Sequence, residues 1–287
     1  MVSENRMRCV LLGFQGRAGV VEEAARLRPL IEEHVDVVDS DFTGEKDMST
    51  VDADIAIVFG GDGSILRASH QMGQRQLPII AVNLGRLGFL ADVAPDELPA
   101  LLASLDGGAL PIMRHLMFRC RLLRNGEAVF DRLGLNEVTI QTGPPYTLID
   151  VDLYIDSQLV TTYSGDGVII STPVGSTAHN LSAGGPILRK ELQAFVISPI
   201  SPHTLSVRPV VDSADRMYEL VVNAPRPDTP IILDGIVIGT VEPGDRLQVE
   251  RAEPQFQLIV APGHNYYRTL REKLGWSGRI MKPAKPN

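Results

Sequence analysis

An apolar run that leads directly into a glycine-rich turn and then a helix constrains this chain more than any other feature. Residues 55–59 form the apolar run, residues 60–64 read Gly-Gly-Asp-Gly-Ser, and a helical pattern at 64–72 follows. Glycines let the backbone turn sharply and approach a ligand closely, and the start of a helix offers N–H groups that suit phosphate. Asp62 lies inside this loop, where a carboxylate is costly unless it binds magnesium or accepts a proton. The turn therefore predicts an α/β fold with a site for phosphoryl transfer.

The first third of the chain alternates between short apolar runs and helical patterns. Such alternation indicates a parallel sheet with helices on both faces, and ligands bind at the carboxyl ends of the strands in such sheets. The loops at 60–64 and 83–85 each follow a strand, so they should line one cleft. Strands are predicted at 8–14, 35–38, 54–59 and 77–82, and helices at 19–33, 64–72 and 95–105.

The pattern changes near Gly107 and Gly108, and short β-type runs dominate from Met117 onward. Close spacing and turn signals favour an antiparallel sandwich for this part of the chain. A last helical segment at 264–276 is too short to fold alone, so we expect it to pack back on the first domain. The predicted division is an α/β domain for the phosphate donor at 1–110, a β-sandwich domain at 111–263, and a C-terminal helix with a short tail at 264–287.

Composition excludes several classes of protein. The net charge of −8 opposes a general nucleic-acid binder, and no apolar run approaches the roughly 20 residues that a membrane span needs. The N-terminus shows no apolar signal region, so a cytoplasmic location is expected. Cys9 and Cys120 are expected to be buried thiols, and the scattered histidines argue against a structural zinc site.

A second polar loop region lies at residues 164–187, where glycines and small hydroxyl residues are dense. Ser176, Thr177, Asn180 and Ser182 offer hydrogen-bond donors and acceptors without bulk. That set suits a tight pocket for a ligand that carries sugars and amides. The alternative is a turn-rich edge of the sandwich.

These motifs together resemble those of the NAD kinase family. The Gly-Gly-Asp-Gly loop alone is shared with diacylglycerol kinases, sphingosine kinases and phosphofructokinases, whereas the Gly-Ser-Thr-Ala and Leu-Ser-Ala-Gly-Gly-Pro block is far more specific. The resemblance runs in order from residue 8 to about residue 276. It is carried by residues 60–63, 83–90, 135–137, 166–186, 202–209 and 270–276.

The resemblance implies an activity, a fold and partners. The activity is transfer of the γ-phosphate of ATP, or of a phosphate from polyphosphate, to the adenosine-ribose 2′-hydroxyl of NAD, with Mg²⁺ or another divalent cation accompanying the donor and no tightly bound organic cofactor. The fold is an N-terminal Rossmann-like or phosphofructokinase-like α/β domain and a C-terminal β-rich domain that binds NAD, with the site between them. Family members are commonly homodimers or homotetramers.

Roles for the phosphate-loop residues follow from the match. Asp62 is expected to accept the proton of the attacking hydroxyl; the alternatives are that it acts through Mg²⁺ or that it merely caps the helix. Gly61 and Gly63 would supply backbone N–H groups to phosphate. Ser64 would add a hydroxyl or cap the helix, and Arg67 would point a cation into the cleft or face solvent. The glycine-rich loop at 13–19 faces the cleft in the family.

The acceptor pocket is expected to bind NAD through residues on several loops. Asn136 and Glu137 suit ribose hydroxyls and amide groups, because each carboxylate oxygen can accept hydrogen bonds. Without the resemblance this pair would pass as a polar loop, and Asp166 as part of a turn. The full set of expected NAD contacts is Asp62, Gly63, Asn136, Glu137, Asp166, Thr177, Ala178, His179, Asn180 and Ser182.

Two positions depart from the family pattern. His179 stands where the family usually has a tyrosine that stacks on the ligand, and Ile236 stands where many members have glutamine. Neither change touches Asp62, so the kinase interpretation stands. The competing interpretations are a lipid kinase, which would need an apolar acceptor channel, and a non-catalytic dinucleotide sensor, which would be expected to lack Asp62.

Overall fold

The computed structural model describes residues 6–85, 88–106, 111–144, 146–204, 206–261 and 265–275. Parts of several predicted features lie outside the described residues: Arg86 and Leu87 of the motif at 83–90, Gly107 and Gly108 where the pattern changes, Leu205 of the motif at 202–209, His264 and Trp276 of the last helix, and the tail after it. Strands and helices are numbered along the chain.

The first sheet has six strands in the order β2-β1-β3-β4-β18-β5. Neighbours from β2 to β18 are parallel, and β5 pairs antiparallel with β18 at the edge. Every residue of β3 is buried, as expected for a central parallel strand with helices on both faces. The strands of this sheet are β1 (Arg8–Leu12), β2 (Asp36–Asp41), β3 (Ile55–Gly60), β4 (Ile79–Asn83), β5 (Ile112–His115) and β18 (Phe256–Ile259).

The helices differ from the prediction mainly at their starts. The second helix begins at Asp62 rather than at residue 64, because Gly61 is already in an extended conformation and caps it. The third begins at Leu98 rather than at 95, since a turn precedes it in which the Glu97 carboxylate accepts the Ala94 N–H. The helices are α1 (Val20–His34), α2 (Asp62–Met72), α3 (Leu98–Asp106), α4 (His179–Ser182) and α5 (Tyr266–Leu274), with a 3₁₀ turn at Gly175–Thr177.

Two further six-stranded sheets, with the orders β10-β9-β14-β17-β6-β7 and β13-β12-β11-β8-β15-β16, form the predicted antiparallel part of the fold. Side chains from both sheets, including Phe118, Phe195 and Tyr218, share one buried cluster. Pairing within both sheets is antiparallel, which confirms the predicted fold class. Their strands are β6 (Phe118–Arg124), β7 (Glu127–Gly134), β8 (Glu137–Gln141), β9 (Ile149–Ile155), β10 (Gln158–Gly165), β11 (Gly167–Ser171), β12 (Ala194–Ile200), β13 (Val210–Ser213), β14 (Tyr218–Val222), β15 (Pro230–Leu233), β16 (Ile236–Thr240) and β17 (Arg246–Arg251).

The chain crosses between the two parts more often than the predicted division at 110 and 263 implies. Strands β5 and β18 both lie within 111–263, yet they complete the first sheet. The last helix touches both parts: the Tyr266 hydroxyl donates to the carbonyl of Leu188 at 3.2 Å, and the Lys273 ammonium lies 4.7 Å from the centre of the Phe89 ring. The division into domains stays a prediction, with these strands as its exception.

Among the described residues, no helix is both long and apolar enough to cross a membrane. Cys9 and Cys120 are free and buried, as expected from their apolar surroundings.

Candidate functional site

The phosphate loop joins β3 to α2 in a conformation that requires glycine at position 60 and leaves little space at position 61. Gly60 has a φ of 142°, and a Cβ atom on Gly61 would lie 2.7 Å from Nη1 of Arg17. Gly63 is exposed, and no atom lies within 4 Å of where its Cβ would be. The first turn of α2 is therefore open to a ligand at Gly63, as a phosphate site requires.

Ser64 is buried, with its hydroxyl packed against Gly60 beneath the loop. A Cβ atom on Gly60 would lie 2.1 Å from Oγ of Ser64, so the hydroxyl occupies the space that a side chain at Gly60 would need. The serine makes no side-chain cap on the helix, because the cap position is Gly61. Its tight packing explains why the loop needs a small residue here.

Asp62 holds a neighbouring loop through both of its carboxylate oxygens. Oδ2 accepts the N–H of Phe89 at 2.8 Å, and Oδ1 accepts the N–H groups of Leu90 and Ala91 at 2.9 and 3.1 Å. A Cβ on Gly88 would lie 2.2 Å from Oδ1, so the loop can approach only with glycine there. Each carboxylate oxygen has two lone pairs, which leaves Oδ2 free to accept one further hydrogen bond.

Two arginines stand beside the phosphate loop. The Arg67 guanidinium lies 4.0 Å from the centre of the Phe14 ring, and both residues line a cavity of about 300 Å³ that also includes Gly63. The guanidinium of Arg17 lines the same cavity and packs against Gly61 and Gly85. Arg17 was missed by the sequence analysis, although the glycine-rich loop at 13–19 that contains it was expected to face the cleft.

The Asn136–Glu137 pair is positioned by a buried carboxylate from another strand connection. Oδ1 of Asp234 accepts the N–H groups of Asn136 and Glu137 at 2.7 and 3.1 Å, and Oδ2 accepts the N–H of Leu135 at 2.8 Å. Asp234 adopts a φ of +48° in the turn between β15 and β16. Only Ile236 of this turn stands out in the sequence, whereas the role of Asp234 becomes visible only in the fold.

Glu137 is in an unusual electrostatic state. Its residue is 7% exposed, and Oε2 has no hydrogen-bond partner among the described residues. Burial and, to a smaller extent, the charge on nearby Asp234 raise the pKa of Glu137 to about 8, against the opposing effect of the hydrogen bond from the N–H of His179. Glu137 therefore holds a proton at neutral pH and can donate a hydrogen bond to a ligand.

The polar loop after β11 divides into exposed and buried members. Thr177 and Ala178 are half-buried, and His179 and Ser182 are exposed. Asn180 is completely buried: its amide nitrogen donates to the carbonyls of Ser176 and Pro186, and its amide oxygen accepts from Ser198. In this conformation Asn180 holds the loop together and does not face the cleft, which differs from its predicted place in the pocket wall.

Asp166 lies at the far end of β11 from the Asn136–Glu137 pair. In the ladder between β8 and β11, Ser171 pairs with Glu137 and Gly167 pairs with Gln141, and the carbonyl of Asp166 accepts the N–H of Thr142. A strand rises about 3.3 Å per residue, so Asp166, five residues along β11 from the partner of Glu137, stands roughly 16 Å from Glu137 along the ladder. The structure does not bring Asp166 to the phosphate loop.

The cavity near the phosphate loop is shared between the two parts of the fold. Gly63, Ser64 and Arg67 line it from α2, and the Asp234–Ile236 turn lines it from the second part. Among the described residues, no three His, Cys, Asp or Glu side chains converge in a way that would hold a metal ion. A glycine-rich loop before a helix, facing the Asp234–Ile236 turn across such a cleft, is typical of a phosphotransferase.

Comparison with known proteins identifies the family. The model of the ATP-NAD kinase N-terminal domain matches residues 21–108, and that of the ATP-NAD kinase C-terminal domain matches residues 135–261. The chain therefore belongs to the NAD kinase family, and it is an enzyme of that class.

Curated relatives agree with this assignment. The chain is 50% identical to an NAD kinase of Rhodopirellula baltica over 273 residues, which cover 95% of this chain and 88% of the relative. It is 38% identical to an NAD kinase of Geotalea daltonii, with 91% and 94% of the two chains covered.

Solved structures show the same fold. A yeast NADH kinase complexed with NADH superposes with a TM-score of 0.86 at 21% identity, covering 98% of this chain and 91% of the other. An NAD kinase from Archaeoglobus fulgidus in complex with ATP superposes with a TM-score of 0.74 at 25% identity, covering 94% and 99%.

Proposed function

We propose that this enzyme transfers the γ-phosphate of ATP, or a phosphate of polyphosphate, to the adenosine-ribose 2′-hydroxyl of NAD, with Asp62 as the proton acceptor. The observation that carries the proposal is the shared cavity, in which the phosphate loop faces the turn that holds Asn136 and Glu137. Donor and acceptor would therefore meet at the start of α2. The ATP complex of the Archaeoglobus fulgidus relative supports ATP as the donor.

The bonding of Asp62 supports a specific place for the acceptor hydroxyl. Three backbone N–H groups already donate hydrogen bonds to the carboxylate, and Oδ2 can accept one more. A ribose hydroxyl that donates to Oδ2 would be held in line with the donor phosphorus as its proton moves to the carboxylate. Phosphoryl transfer depends mainly on such positioning and on charge stabilisation, so an anchored carboxylate suits the task.

The donor phosphates would bind at the N-terminus of α2. The exposed Gly63 N–H and the guanidinium groups of Arg17 and Arg67 are the donors that line the cavity there. Mg²⁺ would arrive with the donor, because it usually binds through phosphates, waters and one or two carboxylates; Asp62 is the carboxylate that the loop offers. When bound, the ion would neutralise charge on the transferred phosphoryl group.

NAD would bind across the second part of the fold. The protonated Glu137 would donate a hydrogen bond through its unpartnered Oε2, and Asn136 would bond a neighbouring polar group. The exposed or half-buried residues of the loop, Thr177, Ala178, His179 and Ser182, would contact the adenosine, with the His179 ring stacking on it. Asp166 stays a predicted contact for a part of NAD distant from the phosphate loop. We also propose that the enzyme works in the cytoplasm as a homodimer or homotetramer.

The test is a coupled assay. The purified protein is incubated with NAD, ATP and Mg²⁺, and NADP is detected with an NADP-specific dehydrogenase; polyphosphate and NADH are tried in parallel. We expect NADP from the wild type, and none from Asp62→Asn although that variant still binds NAD. Saturable NAD binding without NADP from any donor would contradict the proposed reaction and favour a dinucleotide sensor.

A further inference from the structure

Lys190 is a buried cation next to the proposed proton acceptor. It follows the Gly-Gly-Pro block, and its residue is only 5% exposed. Its ammonium donates to the carbonyl oxygen of Phe89 and lies 5.6 Å from the centre of the Tyr266 ring. Burial of a charge is costly unless the charge is paired or hydrogen-bonded, so a lysine that merely fills this space would be a poor choice.

The carbonyl that Lys190 contacts belongs to the same peptide group that contacts Asp62. The oxygen of the Phe89–Leu90 peptide accepts from Lys190, and the N–H of that peptide donates to Oδ1 of Asp62 at 2.9 Å. Hydrogen bonds in such chains polarise one another in a low-dielectric interior. The Lys190 ammonium beside the carbonyl oxygen therefore makes the N–H of the same peptide group a stronger donor to the Asp62 carboxylate.

The charges around Lys190 favour this arrangement. Burial lowers the pKa of Lys190, and the acidic groups of Asp62, Asp92 and Glu191 raise it. Nearby His115 is neutral at physiological pH, because burial and the charge of Lys190 lower its pKa to about 4. Among the described residues, Tyr266 and Lys273, on α5, also contact Lys190 and the Phe89 ring, respectively.

We propose that Lys190 is a positioning residue for Asp62, acting through the Phe89–Leu90 peptide group. The ammonium and the carboxylate bind opposite ends of this peptide, so removal of the ammonium frees the loop at 88–91 to shift and lets the carboxylate turn away from the acceptor hydroxyl. The inference rests on the proposed role of Asp62. It does not require Lys190 to touch either substrate.

A structural role for Lys190 makes a different prediction. Replacement of Lys190 by an apolar side chain of similar length removes the desolvation cost of a buried charge, which offsets the lost hydrogen bond to the Phe89 carbonyl. If Lys190 only supported the fold, activity and stability would change together. If it positions Asp62, Lys190→Met should lose turnover while the unfolding temperature stays equal or rises.

The experiment compares Lys190→Met and Lys190→Arg with a matched control, Lys273→Met, which removes an exposed ammonium that lies over the Phe89 ring. For Lys190→Met we expect kcat to fall about ten-fold, the value of one charge-assisted hydrogen bond, with KM for NAD and ATP within about two-fold of wild type. Lys190→Arg keeps the charge and should retain most of kcat, and its activity should persist to higher pH because arginine stays protonated. Lys273→Met should be nearly neutral.

A double-mutant cycle completes the test. The cycle is read on the free energy of unfolding, because Asp62→Asn is expected to have no turnover. The effects of Lys190→Met and Asp62→Asn should not add, since both residues bind the same peptide group. A kcat within two-fold of wild type for Lys190→Met, or equal losses of kcat and unfolding temperature in both Lys190 variants, would overturn the inference. An inactive wild type would instead contradict the proposed function, so the two failures are distinguishable.

Discussion

His70 and Asp234 connect the phosphate loop to the acceptor pocket. Nε2 of His70, on the same helix as Asp62, lies 2.8 Å from Oδ2 of Asp234. The Asp234 carboxylate also accepts hydrogen bonds from the N–H groups of Leu135, Asn136 and Glu137. One carboxylate therefore sets the position of the acceptor pocket relative to α2, across the boundary between the two parts of the fold.

Replacement of Asp234 should damage both stability and acceptor binding. In Asp234→Asn, the amide –NH₂ would face a backbone N–H that the carboxylate now accepts. An unsatisfied buried N–H costs about 1–3 kcal/mol. We expect the free energy of unfolding in urea to fall by about that amount and KM for NAD to rise several-fold.

The matched control for Asp234 is Asp245→Asn. Asp245 is equally buried, accepts from Arg124 and from the N–H of Glu242, and lies outside the site. It should lose a similar free energy of unfolding without any change in KM. If both variants raised KM equally, the special role of Asp234 would be disproved.

Glu137 should make stability depend on pH in the direction opposite to that of an ordinary surface carboxylate. Its folded-state pKa of about 8 lies above its unfolded value of 4.5. The folded state therefore holds the extra proton between these values, and stability falls as pH rises from about 4.5 through 8. Glu137→Gln stays neutral and should be more stable than wild type at pH 8, by ~1 kcal/mol or more. Urea unfolding of both proteins at pH 5.5 and pH 8.0 tests this, and an equal pH dependence in the two would contradict it.

Arg17 should affect the donor more than the acceptor. Its guanidinium packs against Gly61 and Gly85 beside the phosphate loop. For Arg17→Met we expect KM for ATP to rise about ten-fold, since charge-assisted bonds to phosphate are among the stronger hydrogen bonds, with KM for NAD little changed. The control is Arg28→Met on α1, which removes an exposed arginine paired with Glu32. An increase in KM for NAD without an increase in KM for ATP would contradict the assignment of Arg17 to the phosphate donor.

His179 should tune the affinity for NAD through its ring. The residue is exposed at the start of α4, and burial of part of its ring lowers its pKa, so the imidazole is neutral at pH 7. His179→Tyr enlarges the stacking surface and should lower KM for NAD by several-fold, whereas His179→Ala should raise it. Steady-state kinetics of the two variants test this. If KM for NAD does not increase from His179→Tyr through wild type to His179→Ala, the ring does not stack on the ligand.

Much of the fold follows from local pattern. The buried strand at 55–59, the glycines after it and the helical periodicity beyond are properties of neighbouring residues, and the structure reproduces them as β3 and α2. The change to short β runs after Met117 is equally local. Helix starts were less accurate, because capping by Gly61 and by the Glu97 carboxylate depends on backbone geometry.

The site was only partly predictable for the same reason. Asp62, Gly63 and Arg67 lie on one loop and helix, and their grouping is visible in the sequence. Asn180 was expected to line the pocket, yet its amide is entirely engaged within the protein. Asp166 was grouped with Glu137, although the ladder between β8 and β11 separates the two.

The sequence by itself determined the order of strands and helices, the phosphate loop and the family, since these depend on residue types at short separations. Only the tertiary structure decided which distant residues support the site. Asp234 lies nearly one hundred positions after Leu135, and Lys190 is separated from Phe89 by a comparable length of chain. Neither partnership has a local signature, because long-range packing brings the groups together and burial gives them their chemical state.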